Sequence, residues 1–340
     1  MRTSLSVLGA LIAALGLISC GDAPALGAPA GTTQPIINGQ PPNAAMHDAV
    51  VSLHQRFGSS VSKSIFCSGT LIAPDVVLTA AHCLDTASGG PKFKTIAPGS
   101  LAIYVGDNPQ TDAAPSFYAV SETLIHPSYN RNAILNDLGL VRLSSAVPAS
   151  DATPVPALPT SLGFTSSDAG MTLNFAGFGQ TENGTYDVKL QADGVLGGLG
   201  CSVSGCRSSG DAATQISYSQ ADAGPCFGDS GGPAFVNRGG TWYVGGMTSY
   251  GDANCAIYGV STRADAYESL ISGFVGAGGS EPPPPPPADG CGDGVCGAGE
   301  SCDGRYSTTA CPSDCAGKTG GKPSGRYCYV EGACEGPGCG

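Results

Sequence analysis

Attack on a carbonyl carbon by a hydroxyl needs four parts. These are the nucleophile, a base to take its proton, a group to orient the base, and donors for the oxyanion that forms. The 340-residue chain holds candidates for each. Ser230 lies in Gly228-Asp229-Ser230-Gly231-Gly232-Pro233. Glycines on both sides permit a tight turn, so that the N–H groups of Gly228 and Ser230 can converge on one point as an oxyanion hole. His82 ends the run Leu78-Thr79-Ala80-Ala81-His82-Cys83. Its small neighbours leave room for an imidazole to face a cleft, and a neutral imidazole suits general-base work near pH 7. Asp137 opens Asn136-Asp137-Leu138-Gly139-Leu140-Val141-Arg142-Leu143, where a carboxylate is costly to desolvate without a charge-assisted partner. Taken singly, a loop serine, a satisfied histidine and a turn aspartate are structural; His47, His54 and His126 take that explanation. Together the three define an acyl-transfer set in which Asp137 orients His82 and His82 activates Ser230.

The elements that must position these residues are short strands. Only 12% of residues are charged, whereas Gly numbers 52 and Pro 26, a balance that favours turn-rich β structure over long helices. Apolar runs at 49–53, 69–73, 101–105, 138–143, 173–177 and 242–246 are separated by turn residues, the pattern of an all-β sandwich or barrel. One segment departs from it. Over 264–275, Tyr267, Leu270, Ile271, Phe274 and Val275 recur at helical spacing and predict one closing amphipathic helix. The length allows about two to three domains. A net charge of −12 without a Lys/Arg cluster excludes nucleic acid as a partner, because such binding must displace counterions.

Fifteen cysteines point to an oxidising, extracytoplasmic compartment. At the N-terminus Arg2 precedes an apolar stretch, Leu5 to Ile18, too short for an ordinary membrane span. It ends in Leu17-Ile18-Ser19-Cys20, which resembles a bacterial lipobox, against the alternative of a plain signal peptide cut elsewhere. Lipidation at Cys20 would leave 14 cysteines, an even number able to pair. The resulting division is a signal peptide with lipobox at 1–20, a Pro/Gly-rich spacer or propeptide at 21–35, a main domain at 36–280, a polyproline II linker at 281–288 and a Cys-rich module at 289–340. The module, beginning Cys291-Gly-Asp-Gly-Val-Cys296, resembles small modules appended to secreted bacterial proteins. With eight cysteines in about fifty residues it must be held by disulfides. Its pairing stays open among 105 connectivities.

Residues 36–275 resemble the chymotrypsin/trypsin-like serine proteases. The likeness rests on Ala80-Ala81-His82-Cys83, Gly228 to Pro233, His126-Pro-Ser-Tyr-Asn130, Asn136-Asp137-Leu138, Gly177-Phe178-Gly179 and Ser249-Tyr250-Gly251, in the family's order. It implies two six-stranded antiparallel β-barrels with one C-terminal helix, and the cleft between the barrels as the site. It further implies secreted or surface serine endopeptidase activity on protein or peptide substrates, needing no cofactor or metal. Disulfides Cys67–Cys83, Cys226–Cys255 and Cys201–Cys206 follow from the same resemblance, the last closing a shorter loop than is usual. A second reading is a catalytically silent protease fold displayed as a surface binding protein. An esterase on this fold shares the same chemistry.

Two features depart from the commonest family pattern. Ile36-Ile37-Asn38-Gly39 stands where a new N-terminus would form and pair with Asp229, but Pro35 rather than Arg or Lys precedes it. Activation is therefore expected to use an activating protease of other specificity or self-cleavage of unusual specificity, or not to occur. Cleavage at Pro35–Ile36 would also free the domain from any lipid anchor at Cys20, its only expected tie to a membrane. The resemblance also places Gly224 at the floor of the S1 pocket and Gly251 and Gly259 on its walls. An open, uncharged pocket with a preference for apolar P1 residues is the expectation, with Asp222 as the alternative source of tryptic character.

Overall fold

The computed structural model describes residues 36–277, apart from 114, 182–183, 185 and 207–209, together with four short strand segments between 300 and 328. Cys20, the spacer 21–35, the linker 281–288 and most of the module lie outside the described residues. In the module, Glu300–Ser301 pairs in parallel with Thr309–Ala310, and Gly317–Thr319 pairs antiparallel with Arg326–Cys328.

Two closed, six-stranded antiparallel barrels make up residues 50–263. The first uses β1 (Val50–Phe57), β2 (Ser60–Ala73), β3 (Val76–Thr79), β4 (Leu101–Val105), β5 (Ser116–Ile125) and β6 (Gly139–Leu143), joined in the order β1-β2-β3-β6-β5-β4. The second uses β7 (Thr172–Gly177), β8 (Leu190–Leu199), β9 (Gln215–Ser219), β10 (Pro233–Arg238), β11 (Thr241–Gly251) and β12 (Tyr258–Arg263), joined as β10-β11-β12-β9-β8-β7. Closure removes the unpaired edges that short strands would otherwise expose. β3, β4 and β6 are buried along their whole length, which explains why β4, and β6 apart from Arg142, are legible as apolar runs rather than as alternation. Leu53, Leu71, Val77, Ile103 and Leu140 belong to one apolar cluster, and Leu173, Phe175, Leu196, Ile216 and Val236 to another.

The predicted closing helix is present with shifted bounds. Asp265–Tyr267 forms a 3-10 turn, and the α-helix runs from Glu268 to Ala277 with Ile271, Phe274 and Val275 buried. Arg142 on β6 anchors it. Its guanidinium donates to the Phe274 carbonyl and lies 4.6 Å from the Phe274 ring centroid. Cations are favoured at helix C-terminal carbonyls, and this one also packs.

Candidate active site

His82 sits on a one-turn helix, Ala81–Leu84, that directly follows β3. The disulfide Cys67–Cys83 ties that turn to β2. Asp137 precedes β6, whose Gly139 is the Cα partner of Thr79 on β3, so the antiparallel pairing brings the two loops side by side. The contact is twofold. His82 Nδ1 lies 2.8 Å from Asp137 Oδ2, and the His82 backbone N–H donates to Asp137 Oδ1 at 2.9 Å. A third bond comes from the second barrel, where Ser249 Oγ donates to Asp137 Oδ2 at 2.6 Å. Between Thr248↔Ser261 and Tyr250↔Val260 the β11–β12 register shifts, with Ser249 as the extra residue. A bulge of this kind re-aims a side chain, and here it turns a hydroxyl out of the ladder toward the carboxylate.

The electrostatics follow from this cage. Asp137 is fully buried. Burial alone would raise its pKa, but the charge and hydrogen bonds of His82 and the Ser249 hydroxyl hold it below the usual carboxylate value. Burial would lower the His82 pKa. The charge of Asp137 and its hydrogen bond outweigh that, and the net shift is upward. The His82 side chain keeps 31% of its surface exposed, enough to meet a reactant from the cleft.

Ser230 belongs to the loop between β9 and β10. Gly228 has φ +96° and Gly231 φ +79°, the region that only glycine enters freely. A β-carbon at Gly231 would also stand 2.8 Å from the Ala80 nitrogen, so this glycine sets how closely the serine loop approaches the turn carrying His82. Ser230 is held through its carbonyl, which accepts from the Ser68 N–H at 2.9 Å. Among the described residues, the N–H groups of Gly228 and Ser230 have no acceptor, whereas Asp229, Gly231 and Gly232 all donate within the fold. No hydrogen bond joins His82 to the Ser230 hydroxyl among the described residues.

Ser68 is a participant that the sequence did not single out. Its hydroxyl donates to the Gly228 carbonyl at 3.0 Å and accepts from the Phe178 N–H at 3.1 Å. Its own carbonyl accepts from Thr79 Oγ1 at 2.8 Å. One buried serine thus ties the strand before His82 to both sides of the serine loop. Its only signal in the sequence is a polar residue set between Cys67 and Gly69 in an inward-facing stretch.

Asp229 is buried beside Ser230 and accepts from Gly179 N at 2.8 Å and Cys226 N at 2.9 Å. Burial pushes its carboxyl up to about 7, with the two N–H groups opposing the shift. Ile36 lies fully buried in the apolar cluster of the second barrel. Ile37 N donates to the Gly224 carbonyl at 3.0 Å, and Asn38 Nδ2 donates to the Asp222 carbonyl at 2.6 Å.

Two cavities flank the site. One of about 440 Å³ touches His82, Tyr129, Arg131 and Ser249, and another of about 240 Å³ touches Ser230. The smaller is bounded by Gly251 and Gly259, and by Cys226 and Cys255, which form a disulfide. Two expectations need correction. Gly224 does not bound this cavity, because the Gln220 side chain covers it. The pocket is not simply open, since Tyr218 and Gln220 fill the space beside the glycines. Asp222 is exposed and does not bound it either. Cys201–Cys206 forms the third disulfide, away from the cavity. Cys67, His82 and Cys83 are the one grouping of metal-type donors among the described residues, and both of its sulfurs are committed to a disulfide.

Residues 36–271 match the family model described as Trypsin. The chain belongs to the trypsin family of chymotrypsin-like serine proteases. It is 29% identical over 225 residues to vitamin K-dependent protein C of Rattus norvegicus, covering 63% of this chain and 47% of that protein. Against melanization protease 1 of Drosophila melanogaster the identity is 31% over 239 residues, 63% and 59% of the two chains. Against chymotrypsin-like elastase family member 1 of Macaca fascicularis it is 29% over 221 residues, 61% and 77%. The match thus spans about half the length of the first two of these relatives. The solved structure of GrC superposes with a TM-score of 0.57 at 21% identity, covering 71% of this chain and all of that one, a likeness of fold.

Proposed function

We propose that this chain is a serine endopeptidase that cleaves peptide bonds through an acyl-enzyme. The observation that supports it most is the Asp137 carboxylate holding both the backbone and the ring of His82, in a cleft where the N–H groups of Gly228 and Ser230 have no acceptor among the described residues. In this reading His82 takes the proton from Ser230 Oγ as the oxygen attacks the carbonyl. The two N–H groups receive the developing oxyanion. The C–N bond then breaks as His82 returns the proton to the leaving amine, and water repeats the sequence to release the acid. Asp137 holds the ring in the tautomer that leaves Nε2 free and stabilises the imidazolium. The test is the intact mass of the protein before and after a serine-directed phosphonate, with Ser230→Ala in parallel. A single adduct lost in the variant supports the reading. A processed protein that takes no adduct supports the silent binding-protein alternative.

Activation at Pro35–Ile36 belongs to the same proposal. Ile36 is β-branched and has φ +52°, a conformation costly for such a residue. Among the described residues, no cation contacts Asp229. A free ammonium at Ile36 would remove the backbone constraint and supply the charge. The proposal includes export, lipidation at Cys20 and release of the domain by that cut. It also includes an uncharged S1 pocket with a neutral P1 preference that takes in the apolar side chains expected from its glycine walls. Asp252 is the sole acidic or basic residue bounding that cavity among those described. Its carboxylate is occupied by the N–H groups of Asn254, Ala256, Ile257 and Tyr258.

A further inference from the structure

The glycines around the S1 cavity make room for the protein's own side chains. Gly259 on β12 is the cross-strand partner of Tyr218 on β9. A β-carbon at Gly259 would stand 2.6 Å from Tyr218 Cζ and 2.7 Å from its hydroxyl oxygen. One at Gly224 would stand 2.9 Å from Gln220 Cγ, and one at Gly251 would stand 3.1 Å from Gln220 Oε1. Tyr218 and Gln220 are 1% and 3% exposed, and both bound the cavity beside Ser230. The deep end of the pocket is therefore formed by a phenol and a carboxamide.

Their atoms have assigned polarities. Gln220 donates through Nε2 to the Pro225 carbonyl. A carbonyl only accepts, so the nitrogen is committed and Oε1 is the atom turned to Gly251. Among the described residues the Tyr218 hydroxyl is buried without a hydrogen bond of ordinary geometry, and the Ser261 and Thr248 hydroxyls are its polar neighbours. Burial pushes the Tyr218 phenol up to about 12, so it keeps its proton and can donate. The pocket thus ends on one acceptor, Gln220 Oε1, and one donor, Tyr218 Oη, with no charge.

We infer that S1 selects a P1 side chain ending in a carboxamide, glutamine or asparagine, whose NH₂ donates to Gln220 Oε1 and whose carbonyl accepts from the Tyr218 hydroxyl. This rests on the reading of the chain as a peptidase, and it narrows the neutral P1 class to a polar member. A pocket built to hydrogen-bond a substrate group rejects the analogue lacking it far more strongly than an apolar pocket separates homologues, because the analogue leaves buried polar atoms unpaired.

The test is kcat/KM for a peptide series that differs only at P1, measured on phosphonate-titrated protein, with Gln against its apolar near-isostere Met, and with Leu, Phe, Arg and Lys. Gln is expected to exceed Met by about 10-fold or more. Tyr218→Phe and Gln220→Met are each expected to bring the Gln/Met ratio close to one through loss on the Gln substrate. Equal or faster cleavage after Met, Leu or Phe overturns the inference, as does a preference for Arg or Lys, or a ratio unmoved by Tyr218→Phe. The series on the unaltered protein decides even where a variant fails to fold. Protein that takes the phosphonate yet prefers apolar P1 residues defeats this inference alone. Protein that neither takes the phosphonate nor cleaves any member defeats the peptidase reading with it.

Discussion

The two barrels bring very different degrees of internal satisfaction to the same cleft. The first presents His82 and Asp137, in which a buried carboxylate has three donors and the imidazole is fixed through backbone and ring at once. The second presents Ser230 on a loop whose neighbouring carboxyl, Asp229, is buried with two N–H donors and, among the described residues, no cation in contact. Its pocket is bounded by Tyr218, whose hydroxyl makes no hydrogen bond of ordinary geometry among the described residues. A half whose polar groups are already bonded, here by two bonds from His82 and one from Ser249 of the second barrel, has little to gain from an added species. A half with uncompensated polar groups favours any species that completes it, whether an ammonium, an oxyanion or a substrate side chain. The contrast fits the proposed division, with proton handling in the first barrel and switching and selection in the second.

The largest expected effect comes from the residue the two halves share. Ser230→Ala should lower kcat by about 10⁴-fold or more, read as hydrolysis per mole of protein, with no loss of thermal stability. Next comes Asp229, which tests whether the second barrel needs a cation. Asp229→Asn should cost about 10²-fold in kcat by loosening the oxyanion donors. The uncut protein offers a pH signature of the same group. A carboxyl near 7 in the folded state and near 3.8 unfolded binds more protons when folded. Its contribution to stability is thus full below about 4, declines as pH rises toward 7, and changes no further above it. Denaturant melts of uncut protein should show this decline relative to Asp229→Asn, and cutting before Ile36 should abolish it. Persistence of the decline after the cut would show that no ion pair forms.

Ser68→Ala should lower kcat about 5- to 10-fold with KM little changed, the effect of one hydrogen bond on a donor that matters only in the transition state. Ser68→Thr, which keeps the hydroxyl, should recover part of it; a change confined to KM would reduce Ser68 to packing. The smallest expected change tests the first barrel. The His82 pKa is raised, so the acid limb of kcat/KM should lie above pH 6.5. Ser249→Ala should move it by a few tenths of a pH unit at most, because Asp137 keeps both bonds to His82. A large displacement would mean that the first barrel depends on the second for its geometry.

Much of this was legible in the residues themselves. Wholly buried strands such as β4, and β6 apart from Arg142, appear as apolar runs, and His82, Asp137 and the Gly228–Pro233 string combine particular residue types in a fixed order. The strands that escaped notice, β5, β8, β9, β10 and β12, mix polar and small residues. They owe their pairing to barrel closure rather than to their own pattern.

Local sequence carried the proposed nucleophile, base and orienter because each needs particular functional groups and small neighbours along a single stretch of chain. It carried the closing helix because period 3.6 is written within a dozen residues. The tertiary structure alone decided what fills a glycine's space and which way a hydroxyl points. Ser249 reaches Asp137 through a bulge, Ser68 bridges the barrels across 160 residues to Gly228, and Tyr218 occupies the room left by Gly259 through strand register. These contacts join residues remote in the chain, and their partners are fixed only once the sheets close and the two barrels meet.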